Sequence, residues 1–164
     1  MEEYNVETPI LAYGGGFIAD NYIAQAGDAS AYVMASASYL YDPAAMSDEA
    51  LAIADDFTAN TEYTQMNEAF ANGWLGMYSL LEAIGQTGGS ADKDEIAAAL
   101  DGFTAQPGDR ALLFHPTMAG IEYGDTNGRF NQNIYAGMQF GQILDGGYKL
   151  VFPLGESATP FVWK

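Results

Sequence analysis

The sequence predicts an α/β fold, and three stretches carry that prediction. Residues 9–13 (PILAY) form a short apolar run closed by Gly14, Gly15 and Gly16 and followed by a helical pattern from Phe17 to Ala26: a strand, a glycine turn and a helix. Residues 67–100 read as two consecutive helices. Residues 134–144 and 148–153 flank Asp145, Gly146 and Gly147, the clearest β-hairpin signal in the chain. Two strands of that length need a third partner. The hairpin is therefore expected to join the sheet containing residues 9–13, with the helical pair packing in a second cluster.

Taken in order, the helix after the glycine turn is expected to stop at Gly27, a residue suited to a left-handed cap. Residues 32–41 (YVMASASYLY) then read as a strand ended by Asp42 and Pro43. Ser47 is a natural N-cap, with Asp48 and Glu49 in the first turn where carboxylates meet the positive helix end. Met46 and Leu51 stand where a hydrophobic staple would place them. That helix should break at residues 60–62. Met66, Phe70, Trp74, Met77, Leu81 and Ile84 recur every three or four residues and predict the buried stripe of the next helix. Gln86, Thr87, Gly88 and Gly89 should end it. Asp92 can accept a hydrogen bond from the Glu95 amide to start the shorter helix, in which Ile96 and Leu100 share a face and which Gly102 stops. Beyond it lie a Pro/Gly loop at 103–110, a short apolar run at 111–114, and a turn signal at Asn127-Gly128.

At 164 residues the chain is long enough for one ordinary core; such a chain buries roughly 68–70% of its unfolded surface. The charge balance is the strongest bulk signal, with 22 acidic residues against 5 basic ones, a net of -17 and a pI near 4.1. A surface this negative repels phosphate backbones and anionic lipid, which argues against nucleic-acid or membrane-surface partners. The scarcity of lysine (Lys93, Lys149 and Lys164) is also compatible with adaptation to salt, which would screen the self-repulsion. No stretch is apolar for the ~18 residues of a membrane span, and no N-terminal pattern reads as an export signal.

Catalytic chemistry lacks its parts in this sequence. There is no cysteine and no G-x-S-x-G elbow, and the lone histidine, His115, precedes a proline in a turn. Asp125 to Gly128 begins like a calcium loop, but Phe130 stands where glycine is required and Ala136 where glutamate is. Asp55 and Asp56 are adjacent on a helix and point apart. No enzyme activity, cofactor or metal is expected. One alternative stays open: Gly14, Gly16 and Ala19 fit G-x-G-x-x-A, so a nucleotide-binding oxidoreductase segment using NAD or NADP is the rival reading, and a ligand-free interaction domain is a third. The other role foreseen for these glycines is close packing of strand on helix.

Several strings resemble one family. The small-Asn-Gly-Trp start of the long helix, LLEAI, the Gly-Gly-Ser turn and D-x-x-E-I-x-x-A-L resemble the late helix pair of type I solute-binding proteins. These are the extracytoplasmic receptors of ABC importers for branched-chain amino acids, amides and related solutes. Ala26-Gly27-Asp28-Ala29 is similar to the family's corner before the strand that leaves the C-terminal lobe. Residues 120–131 resemble its GI-x-(F/Y)-x-D-x-x-GR-x-N corner, and Gln139, Asp145, Gly146, Val151, Phe152 and Pro153 sit at its closing places. The likeness runs from about Pro9 to Trp163.

The resemblance implies the C-terminal half of a two-lobed type I periplasmic-binding-protein fold, with parts of both lobes. Residues 1–40 and 133–164 would belong to the C-terminal lobe, and 41–132, including the helix pair at 64–101, to the N-terminal lobe. It further implies capture of a small polar or amino-acid-like solute by hinge closure, an ABC permease as partner, and a periplasmic or extracytoplasmic location. The implied ligand contacts are Phe17 and Asp20 in the loop after the first strand, and Tyr32 after the Ala-Gly-Asp-Ala corner. One departure bears on the ligand. Amino-acid binders of the family often carry A-G-D-A-x-E, whose glutamate meets the ligand ammonium, and Ala31 stands there instead. Asp20 or Asp28 would have to substitute.

Overall fold

The computed structural model describes residues 9–19, 21–126, 129–155 and 158–163. The chain forms two compact units, residues 1–68 with 138–164, and residues 69–137. The first holds a sheet of order β1-β2-β6-β7, built from β1 (Leu11–Tyr13), β2 (Met34–Ala37), β6 (Gln139–Leu144) and β7 (Gly147–Phe152). β1 runs parallel to β2, with Leu11 opposite Met34 and Tyr13 opposite Ser36; β6 and β7 are antiparallel additions. The hairpin thus joins the strand at 9–13 through β2, as the sequence requires.

Local chemistry explains the elements of this unit. Between β6 and β7, Asp145 (φ 52°) and Gly146 (φ 76°) both lie in the left-handed region, the two-residue turn whose twist suits a hairpin. On one sheet face Ala12, Val33, Ala35, Ala37, Leu40, Ile143 and Tyr148 form the core, against which Tyr22 and Ile23 of α1 (Tyr22–Ala26) pack. Gly141 is needed there: a β-carbon would come within 2.7 Å of the Leu40 side chain and 3.2 Å of the Tyr148 ring. α2 (Asp48–Asn60) starts on Ser47, whose hydroxyl accepts from the Ala50 amide at 3.2 Å, and buries Ala50 and Ala54.

Two elements are shorter than the sequence suggests. The helix expected from Phe17 begins only at Tyr22, because Gly14 at φ 110° opens a turn in which the Phe17 amide donates to the Gly14 carbonyl. The strand expected over 32–41 keeps ladder pairing only at 34–37. Beyond it, side chains take over from the ladder: the Glu68 carboxylate accepts from the Ser38 amide (2.6 Å), and the Gln139 carboxamide from the Leu40 amide (3.0 Å).

The second unit contains most of α3 (Glu68–Gln86), α4 (Lys93–Asp101) and a sheet of order β3-β4-β5, from β3 (Thr104–Ala105), β4 (Ile121–Thr126) and β5 (Arg129–Asn133). The Asn127-Gly128 turn lies outside the described residues. Gly88 (φ 70°) and Gly89 (φ 87°) end α3, with the Gly89 amide bonding the Ile84 carbonyl. The Asp92 carboxylate accepts from the Asp94 and Glu95 amides at 2.8 and 3.3 Å, capping α4 as anticipated.

The stripe of α3 differs from the expected one. Met77 and Leu81 are 55% and 52% exposed, while Ala71, Ser79 and Ala83 are buried. Leu75 and Tyr78 pack on Phe103, Ala105, Ala111, Leu112 and Ile121. The fully buried positions of the helix are thus small residues, and the largest apolar side chains are not all drawn inward. Residues 134–138 are likewise not strand: Asn133 accepts the Tyr135 amide through its side chain (3.1 Å) and the Ala136 amide through its carbonyl (3.1 Å), turning the chain before β6.

Candidate functional site

In open α/β sheets, ligands bind outside the carboxyl ends of the parallel strands. In the first unit the loop that leaves the carboxyl end of β1 is residues 14–19. Tyr13 is 79% exposed at its start, and Gly15 and Gly16 are exposed. A β-carbon at Gly14, Gly15 or Gly16 would meet nothing within 4 Å, so close packing of strand on helix is not what these glycines serve. Gly14 supplies a backbone angle that side chains rarely adopt. Gly15 and Gly16 leave a stretch of main chain bare to solvent, with peptide groups that a ligand can approach.

The residues expected to contact ligand fall in different settings. Phe17 is half-buried, packs edge-on against Tyr22 (ring centroids 5.3 Å apart) and rests on the core of the first sheet. Its carbonyl accepts a hydrogen bond from the Tyr148 hydroxyl. Burial, with a smaller contribution from Tyr22, pushes the Tyr148 phenol up to about 12. Tyr32 is half-buried and adopts φ 66°, a left-handed conformation that an aromatic residue seldom takes. Asp20 lies outside the described residues. Ala31, which stands where the resembling family often carries glutamate, is exposed, as is Asp28; the corner is closed by the Ser30 hydroxyl donating to the Gly27 carbonyl at 2.7 Å.

Phe17 follows β1 and Tyr32 precedes β2, so they stem from opposite ends of the parallel pair. Both nevertheless meet one cross-strand pair, Ile143 and Tyr148. Tyr148 bonds Phe17 through its side chain, and the Ile143 carbonyl accepts from the Tyr32 amide at 2.9 Å.

Sequence reasoning passed over two buried polar residues of this unit. Asp42, 3% exposed, accepts from the Ala44 amide (3.1 Å) and the Leu150 amide (3.2 Å). Gln142, 1% exposed, binds the backbone of Tyr32 and of Val162. A second glutamine in the middle of the strand, between Gly141 and Ile143, was the available signal for Gln142. Asp42 was read only as a strand stop.

Among the described residues no group of three or more His, Cys, Asp or Glu side chains is placed to hold a metal ion. No helix among them is long and apolar enough to cross a membrane. The rival dinucleotide motif requires a helix that opens within the glycine loop and presents its amino end to phosphate. Here the helix opens only at Tyr22 and is five residues long, so Gly14 to Ala19 do not form that seat.

No protein-family model matches the sequence, and no curated protein sequence matches it. Solved structures do. A leucine binding protein, LivK, from Thermotoga maritima superposes with a TM-score of 0.62 at 20% identity over 91% of this chain. A solute binding protein of an ABC transporter from R. palustris, solved in complex with benzoate, gives 0.58 at 16% identity over 89%. This chain spans 38% of the length of each. The chain carries part of the type I periplasmic-binding-protein fold.

Proposed function

We propose that this chain is the later part of the substrate-binding component of an ABC importer, which captures a small polar or amino-acid-like solute by closing two lobes about a hinge. The observation that carries the reading is the likeness over 91% of the chain to a leucine binding protein. In this reading residues 1–40 and 133–164 belong to one lobe and 41–132 to the other. Support comes from the compact units, which group 69–132 together and 138–164 with 1–40; residues 41–68, however, group with the first unit and residues 133–137 with the second. The permease partner and the extracytoplasmic location follow from the same reading. No group transfer is involved.

The ligand-contacting surface is assigned to the loop after β1, with Phe17 and Asp20. Tyr32, the further contact that the resemblance implies, leaves the opposite end of the parallel pair and is linked to that loop through the Ile143–Tyr148 pair. Bare peptide groups at Gly15 and Gly16 would bond a carboxylate, amide or hydroxyl, and Tyr13 and Phe17 would flank it. An exposed Ala31 removes the family's counter-ion for an ammonium, which favours solutes without a free α-amino group, unless Asp20 or Asp28 supplies the charge.

Thermal unfolding tests the reading. The chain is screened at millimolar leucine, isoleucine, valine, small amides and benzoate, and in parallel with NAD and NADP. A ligand that prefers the native state adds about 2.7 kcal/mol of stability at a hundred times its Kd and so raises the melting temperature. A saturable rise with a small carboxylate or amide is expected. A rise confined to the nucleotides would overturn the proposal.

A further inference from the structure

The Gln142 side chain sits where two distant parts of the first unit meet. Its Nε2 donates to the Val162 carbonyl at 2.8 Å and to the Tyr32 carbonyl at 3.3 Å, and its Oε1 accepts from the Val162 amide at 2.9 Å. The carboxamide thereby does for residue 162 what a neighbouring strand would do, offering one donor and one acceptor to a single residue. The rest of the tail is held lightly: the Thr159 amide bonds the Leu150 carbonyl at 2.7 Å, and Trp163 remains 73% exposed with its ring edge-on to Phe161.

Tyr32, at the other arm of the clasp, is the unusual partner. Its left-handed backbone is disfavoured for a residue with a β-carbon, and such a conformation persists where neighbours fix it from several sides. The Ile143 carbonyl holds its amide and the Gln142 carboxamide its carbonyl. Because both hydrogens of one Nε2 are used, the position that suits the tail also sets the donor for Tyr32. Docking of one arm preorganises the other.

We propose that Gln142 is a positioning residue that couples docking of the C-terminal segment, residues 159–163, to the left-handed backbone of Tyr32. The tail thereby helps to fix a ligand-contacting residue without touching ligand. The assignment of Tyr32 as a contact rests on the proposed function; the coupling itself does not, and it is read without ligand. Linkage makes the effect reciprocal: loosening Tyr32 must loosen the tail to the same degree.

The experiment is amide hydrogen exchange on the intact chain, resolved at Tyr32 and Val162, for wild type and three variants. Gln142→Leu keeps the volume and removes all the bonds. It is expected to speed exchange at Val162 and Tyr32 at least tenfold. A chain ending at Thr159 leaves Gln142 in place, and exchange at Tyr32 is still expected to rise at least threefold. Tyr32→Gly removes the cost of the left-handed angle, so exchange at Val162 is expected to slow by a similar factor. If Gln142→Leu does not fold, the other two variants carry the test. Overturning results are an unchanged Tyr32 in the truncated chain or an unchanged Val162 in Tyr32→Gly. Either would make Gln142 a fastener of the tail alone. Coupling without binding of any small solute would sink the proposed function and leave the clasp standing.

Discussion

Asp42 shows how much one buried carboxylate can organise. Its two oxygens take the amides of Ala44 and Leu150, so it caps a turn and ties that turn to β7. Replacing it with alanine leaves the Leu150 amide without an acceptor, and Asp42→Ala is expected to lower stability by about 1–3 kcal/mol in urea unfolding. Tyr148 gives a second residue-scale expectation. Its folded pKa is raised from 10.0 to about 12, chiefly by burial. A proton held more tightly in the folded state means full stabilisation below pH 10, lost progressively as pH rises from 10 towards 12. Tyr148→Phe should flatten the alkaline fall in that window. Tyr39, also raised by burial, begins to lose its contribution from the same pH 10 and goes on losing it beyond that window. Equal alkaline profiles for wild type and Tyr148→Phe would count against this assignment.

Among the elements, the features most legible in sequence are those whose causes are local. Ser47 and Asp92 cap their helices through their own side chains, and Asp145-Gly146 makes its turn from two backbone angles. Ser47→Ala is therefore expected to cost about 1 kcal/mol, measurable as a shift in the urea midpoint at constant slope. Features set by partners were less legible. Periodicity identified α3, but its packing on Phe103, Leu112 and Ile121 is made by Leu75 and Tyr78, and its fully buried positions are Ala71, Ser79 and Ala83, while Met77 and Leu81 are exposed. The strand read over 32–41 was truncated by long-range bonds from Glu68 and Gln139, which propensity does not contain. In the candidate site the glycine loop was visible from composition. Gln142 was not, because its meaning lies in Val162 and Tyr32, far off in sequence.

At the scale of the whole molecule, charge and fold make separate demands. The net charge of -17 opposes compaction at low ionic strength. Sodium chloride shortens the Debye length from about 10 Å at 0.1 M to about 3 Å at 1 M, so the melting temperature is expected to climb over that range. A flat response would mean the carboxylates are too dispersed to repel one another. The fold, in turn, places a bare glycine loop at the carboxyl end of β1, where α/β sheets bind ligands. The most direct measurement follows backbone amide chemical shifts while leucine, a small amide, benzoate and NAD are titrated separately into the chain. Saturable shifts centred on residues 13–17 and Tyr32 with one of the small solutes, and none with NAD, are expected. Shifts at Gly14 to Gly16 that saturate with NAD alone, or a small solute that binds while leaving that loop unmoved, would contradict the account.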